Sequence, residues 1–181
     1  SNSFGAIGIS LAHSKNGTRA TSDGGNGGTS TTSVSDWVVT LDGSAFIDGL
    51  NGGVMHSTEE STVAGVNDGT VFGGWVNYST GPVSLGYRLT DNSAGSGTEK
   101  NVEAYAIAFN VNDNMSVSVA TQDIEFDVPS GTNTTETINA FNASYTMGAA
   151  SVRGTVSEAS DDAGVSGSDD EHMEISLVLS F

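Results

Sequence analysis

Hydrophobic and polar residues alternate one by one in short segments of this chain. In the last segment, apolar residues occupy every second position from Met173 to Phe181. A period of two places successive side chains on opposite faces of a β-strand. The pattern therefore predicts a strand with one apolar face and one polar face.

The same alternation returns along the whole chain, and we predict about ten strands from it. In the seventh segment the apolar phase changes between Val119 and Ile124, which predicts a β-bulge near Thr121. Segments of this length suit a tilted strand that crosses a bilayer. The predicted strands cover about 4–13, 35–47, 52–59, 70–79, 82–91, 101–111, 115–127, 136–147, 149–158 and 171–181.

The links between these segments alternate between long and short. Long polar links at about 14–34, 60–69, 92–100, 128–135 and 159–170 take turns with tight ones. A transmembrane barrel has long loops at one end and short turns at the other, whereas a soluble sandwich has no reason to do so. We therefore predict an all-β fold, an antiparallel up-and-down transmembrane β-barrel. Residues 1–181 would form one barrel domain, or the C-terminal part of one, without a separate soluble domain.

Composition narrows the range of partners. Five basic residues stand against 22 acidic ones, so the chain would repel a phosphate backbone and nucleic acid is excluded as a partner. The same field favours cations. The absence of cysteine excludes a disulfide scaffold and a thiolate metal site.

Charged residues of the polar face are the candidate pore-lining residues. A charge that faces hydrocarbon at mid-depth costs a few kcal/mol, so charged strand residues belong on the lumen side. Arg88 and Arg153 are the only cations within the predicted strands. Facing carboxylates across a passage, they would create a transverse field that orients polar solutes; alternatively, each merely neutralises a neighbouring acid. The six candidates are Asp42, Arg88, Asp123, Glu125, Arg153 and Glu174.

No cofactor is expected, apart from a weak calcium candidate in the last long link. Asp161, Asp162, Asp169 and Asp170 offer hard oxygen ligands, but their spacing matches no EF-hand loop and a solvated acidic loop is the alternative. No nucleophile elbow or phosphate loop is present, so we do not expect an enzyme. Only His172, beside Asp169 or Asp170, would suit an outer-membrane protease.

The final segment, Glu174-Ile-Ser-Leu-Val-Leu-Ser-Phe181, resembles the closing strand of Gram-negative outer-membrane porins, especially the acidic general porins of alphaproteobacteria. The resemblance implies a bacterial outer-membrane location, contact with lipid and lipopolysaccharide, and a homotrimer. It also implies that Phe181 is the signal read by the barrel-assembly machinery. Such porins usually have sixteen strands and an inward-folded constriction loop. Because we find about ten strands and no obvious inserted loop, we expect either the C-terminal part of such a porin or a ten-stranded barrel.

Three functional interpretations follow beside the outer-membrane protease of ten strands, for which His172 with Asp169 or Asp170 is the only candidate group. The first is a porin with a water-filled, weakly cation-preferring channel for passive diffusion of small polar solutes and ions. The second is a small plugged barrel with a structural, adhesive or phage-receptor role. The third is a soluble β-protein, in which the row of Ile175, Leu177 and Leu179 would be buried beneath a second layer.

Overall fold

The computed structural model describes residues 2–14, 33–61, 65–95 and 97–179, and within these ranges it contains eleven β-strands. Phe181 lies outside them. The strands are β1 (Asn2–Phe4), β2 (Ile7–Ser14), β3 (Val34–Asp42), β4 (Leu50–Glu59), β5 (Gly69–Thr80), β6 (Val83–Ser93), β7 (Glu99–Asn112), β8 (Met115–Asp127), β9 (Thr134–Met147), β10 (Ala150–Ser160) and β11 (Asp170–Leu179).

All eleven strands form one antiparallel sheet in which each strand pairs with its neighbours in sequence. This confirms the predicted up-and-down topology. The sheet is open, with β1 and β11 at its edges. The first predicted strand is in fact two, because Gly5, with a φ of 62°, turns the chain between β1 and β2. No helix in the described ranges is long and apolar enough to cross a membrane.

Short and long connections lie at opposite ends of the sheet. At one end, called the lower end here, two-residue turns join β1 to β2, β5 to β6, β7 to β8 and β9 to β10. A longer link with a 3-10 helix at Gly43–Ala45 joins β3 to β4 there. At the upper end, β2, β4, β6, β8 and β10 finish, and the links at 128–133 and 161–169 are described there in full. The predicted alternation holds at the four two-residue turns but not between β3 and β4, where the link at 43–49 is longer than the upper links at 94–98 and 128–133.

The sheet is a single layer without an apolar core. None of the described apolar side chains is buried. Ile175, Leu177 and Leu179, the row that a second layer would have to cover, are 74%, 62% and 51% exposed. A soluble protein cannot leave so large an apolar surface in water. The soluble interpretation is therefore wrong.

One row of apolar side chains, aligned by the strand register, crosses eight strands on the face that we call the outer face. Its members are directly opposite one another in register, and Leu85, Ile107 and Val119 at its centre are 44% to 49% exposed. The complete row is Leu50, Tyr78, Leu85, Ile107, Val119, Phe141, Val156 and Met173.

The apolar band on the outer face runs obliquely to such rows. The uppermost apolar residue of the band is Phe72 on β5 and Met173 on β11. Met173 lies in the row of Tyr78, and Tyr78 is six residues below Phe72 along β5. Six residues span about 20 Å along a strand, and six strand-to-strand steps span about 29 Å. If the band lies parallel to a membrane, the strands tilt by about 35° from the normal, within the range for transmembrane barrels.

The predicted bulge near Thr121 is wrong. β8 pairs in unbroken register with β7 from Ser116 to Asp127, and the irregularity lies instead at Asn110 to Asn112 of β7. Side chains of β8 therefore keep one alternation throughout, and Ile124 and Phe126 lie on the inner face. The apolar phase changes because the surroundings of the inner face change, as described below.

Candidate functional site on the inner wall

The inner face of the sheet is lined by small and polar side chains. Many of them hydrogen-bond directly across neighbouring strands. Such pairs satisfy the polar groups while leaving their outward lone pairs and protons to water. The pairs are Asn77 Nδ2 to Asn51 Oδ1 (3.2 Å), Ser79 to Ser84 (2.9 Å), Ser116 to Ser144 (2.8 Å), Thr155 Oγ1 to Asn142 Oδ1 (2.8 Å) and Thr146 to Ser151 (2.7 Å).

Four of the six predicted pore-lining residues lie on this inner face. Arg88 and Arg153 point inward from β6 and β10, opposite Trp75 and Ser144 respectively. Glu174 lies on β11 and is 3.8 Å from the ring nitrogen of His172, two positions along the same face. Asp42, also on the inner face, caps the lower 3-10 helix by accepting a hydrogen bond from the Ser44 amide at 3.1 Å.

Asp123 and Glu125 do not face inward, which corrects the sequence prediction. The regular register of β8 places Asp123 opposite Glu103 and Thr137, and Thr137 Oγ1 donates to Asp123 Oδ1 at 2.7 Å. Both carboxylates therefore lie on the outer face, above the apolar band. The prediction failed because it assigned every apolar residue to lipid, so Ile124 was taken to face outward.

The two arginines have no carboxylate within 4.0 Å in the part of the chain that the structure describes. Arg88 instead donates from Nη2 to the Gln122 side-chain oxygen at 3.1 Å. The residues opposite Arg153 are Ser144 and Ser176. The alternative that each arginine merely neutralises an adjacent wall carboxylate therefore gains no support from the geometry.

Two large inward side chains lie flat against the wall, a feature that sequence reasoning missed. Trp75 on β5 lies directly opposite Gly53 on β4, and a Cβ atom at Gly53 would come within 2.4 Å of the indole ring. Met55 similarly covers Gly73, where a Cβ atom would be 2.8 Å from its terminal methyl. The sequence carried a signal of this arrangement, because Gly53 and Gly73 occupy odd-numbered positions, as Met55 and Trp75 do, and therefore lie on the same face as these large side chains. Because both side chains occupy the space over glycines, the wall stays thin at these two positions.

The link at 161–169 folds over the inner face at the upper end. The Ala163 amide donates to Glu136 Oε2 at 3.2 Å, and Thr134 Oγ1 donates to the Gly164 carbonyl at 2.8 Å. Gly164 lies against the ring of Phe126, which also carries the Lys100 ammonium 4.8 Å from its centroid. Glu136 is only 8% exposed as a result. An inward-folded link therefore exists where the sequence gave no obvious sign of one.

This link also explains the apolar residues at the top of β8. Phe126 lies on the inner face because the link, and not open water, lies over it. Lys100 adds a third strand cation on that face, since β7 begins two residues before the predicted segment.

The calcium candidates are not assembled into a site. Asp161 uses its Oδ1 atom to accept the Gly167 amide at 2.6 Å, which holds the link in its own fold. No group of three or more histidine or acidic side chains suited to a metal ion occurs among the described residues. The ion pair of His172 is with Glu174, and none joins it to Asp169 or Asp170 in the ranges that the structure describes.

Comparisons with known proteins agree with this geometry. A family model described as Gram-negative porin matches residues 2–178. No curated protein matches the chain. Among solved structures, the chain is similar to "Outer-membrane expressed OmpT of Vibrio cholerae", with a TM-score of 0.60 and 12% sequence identity. The match covers 82% of this chain and 56% of that one, so this chain spans a little over half of its length.

At this identity the solved structure supports the fold alone, but the family match extends over nearly the whole sequence. The outer apolar band and the polar inner wall agree with it. The chain belongs to the Gram-negative porin family of the bacterial outer membrane.

Proposed function

We propose that this protein forms a water-filled channel for the passive diffusion of small polar solutes and ions. The observation that carries the proposal is the inner wall, where hydroxyl and amide pairs alternate with glycine and alanine. A wall of this kind presents hydrogen-bonding groups to water and takes little room. Membership of a porin family favours a channel over an enzyme.

The charges of the chain support a channel with a weak preference for cations and a local positive field at Arg88 and Arg153. The chain has a formal net charge of −17, which raises the concentration of cations near its mouth. Arg88 and Arg153 oppose this field without carboxylate partners of their own among the described residues. They would therefore act on a passing solute and on the ion selectivity.

The two arginines also lie at similar depth. The cross-strand row of Arg88 reaches β10 four strands further along the sheet. Arg153 lies six residues below that point of β10. With a tilt of about 35°, the six residues along β10 lower Arg153 by about 16 Å, and the four strand-to-strand steps raise it by about 11 Å. A difference of about 5 Å places both guanidinium groups near the same level of the bore.

Closure of the sheet completes the proposal. Unpaired strand edges do not occur in hydrocarbon, so β1 and β11 pair either with each other or with further strands of the same barrel. Such a barrel would lie in outer-membrane lipid and lipopolysaccharide as a homotrimer. Phe181 would be its contact with the barrel-assembly machinery.

Planar-bilayer conductance tests the proposal. The refolded protein should conduct, and its reversal potential in a salt gradient should show a cation preference that decreases from 0.1 M to 1 M salt, because the screening length falls from about 10 Å to about 3 Å. Arg88→Gln and Arg153→Gln should each increase the preference at low salt. A correctly folded barrel that conducts nothing would favour the plugged alternative. Anion selectivity at low salt would contradict the proposed field.

A further inference from the structure

A hollow of about 490 Å³ is recessed into the inner wall of β5 to β9. Its floor consists of Gly86 and four alanines, including Ala104 and Ala106, whose methyl groups form a shallow apolar surface. Trp75 and Ile138 line its sides. The volume falls in the range of small-molecule sites, which are mostly apolar with a few directed polar groups.

The polar groups at one end of the hollow are arranged to donate hydrogen bonds. Arg88 Nη2 donates to Gln122 Oε1 at 3.1 Å, so the acceptor atom of the glutamine is used and its amide nitrogen remains to donate. The guanidinium keeps its other N–H groups, and a planar fork of this kind binds carboxylates in a bidentate manner.

The positions around Arg88 on the inner face are uncharged. Its direct neighbours in register are Trp75 and Ala104, and Gly86 and Thr90 flank it on β6. Among the described residues, no carboxylate pairs with this cation, although the chain has 22 acidic residues, and such a cation attracts an anionic group.

The apolar part of the hollow suits a flat body. Trp75 is held against the wall by its fit over Gly53, so one face of its ring is fixed and the hollow beside it stays open. Alanine methyl groups offer a smooth surface on which an aromatic ring can lie, and aromatic contacts with the indole add to the apolar contact.

We propose that this hollow is a binding subsite for small aromatic carboxylates. The carboxylate would bind Arg88 and the Gln122 amide, and the ring would lie on the alanine floor beside Trp75. This inference rests on the proposed channel, because the solute reaches the hollow through the bore.

Benzoate is the probe for the first experiment. In single-channel recordings it should reduce or interrupt the ion current of the wild-type channel in a concentration-dependent manner. Benzamide, which lacks the charge, and acetate, which lacks the ring, should do so much less. Loss of a charge-assisted hydrogen bond in Arg88→Gln should raise the half-blocking concentration by roughly 10- to 100-fold.

Matched variants separate the hollow from a general field effect. Arg153→Gln removes an inner-wall cation outside the hollow, so it should change the ion selectivity as proposed above but shift the half-blocking benzoate concentration by no more than about twofold, because a more distant charge is screened. Ala104→Leu keeps the arginine but fills the floor, and, like Arg88→Gln, should raise the half-blocking concentration of benzoate. An equal loss in both arginine variants, or an equal response to acetate and benzoate, would overturn the proposal.

Calorimetric titration of the refolded protein in detergent with benzoate distinguishes this inference from the channel itself. Heat of binding that disappears in Arg88→Gln, in a protein that does not conduct, would support the subsite and refute the channel. Conductance without binding or block by benzoate would refute the subsite and leave the channel intact.

Discussion

Ile107 occupies the centre of the apolar row on the outer face, and its replacement by arginine tests which face meets lipid. The residue is fourth among the eight members of the row, between Leu85 and Val119. With a tilt of about 35°, each strand step along the row changes depth by about 2.8 Å, so the row spans about 19 Å of membrane. Ile107 is therefore near the middle and Met173 near the upper interface.

The expected cost follows from this depth. Arginine on the lipid face of a barrel costs about 2–4 kcal/mol at the midplane and about 0–1 kcal/mol near the interface. Ile107→Arg should therefore lower the folding equilibrium constant in vesicles by roughly 30- to 700-fold, since each 1.4 kcal/mol is a factor of about ten. Met173→Arg should lower it by no more than about fivefold.

The measurement is a denaturant titration of the full protein refolded into phospholipid vesicles. Ala108→Arg is the matched control, because Ala108 is the next residue of β7, faces inward, and lies between Ser84 and Ser118. It should cost less than about 1 kcal/mol. Equal costs for the two neighbours, or a larger cost at Ala108, would refute the assignment of the faces.

Two further predictions concern the inner wall. Gly53→Leu should displace the Trp75 ring into the bore, destabilise the barrel by about 1–3 kcal/mol and lower its conductance; Gly154→Leu, on the outer face with open space around it, should leave conductance unchanged. Glu136→Ala should release the link at 161–169, so that its amides exchange hydrogen roughly 5- to 100-fold faster by mass spectrometry, because a bond worth about 1–3 kcal/mol is lost. Glu125→Ala removes an outer-face carboxylate instead, and an equal acceleration there would contradict the attachment.

Alternation and link length were sufficient to predict the sheet. A strand with lipid on one side and water on the other must repeat with a period of two, so the row through Ile175 and Leu177 could be read directly from the sequence. The lumen orientation of Arg88 and Arg153 follows from the same rule. The observed strand limits differ from the predicted ones by a few residues, because residues at strand ends, such as Lys100, continue the hydrogen-bonded ladder beyond the apolar pattern.

The rule that apolar residues of a strand face lipid failed on β8, where the inner face meets water at one end and the link at 161–169 at the other. Ile124 and Phe126 face inward because the link at 161–169 lies over Phe126, and that contact joins parts of the chain far apart in sequence. Asp123 and Glu125 were consequently assigned to the wrong face. The hollow was equally invisible, because Trp75, Arg88 and Gln122 come from three strands and meet only through the register.

The two tryptophans of this porin lie on opposite faces of the same wall. Trp37 is on the outer face of β3, paired with His56 at a ring-centroid distance of 5.8 Å, and Trp75 is on the inner face of β5. Brominated acyl chains should therefore quench the fluorescence of Trp37, and acrylamide in the aqueous phase should quench that of Trp75. The wild-type protein thus carries one optical reporter of its lipid contact and another of its water-filled interior.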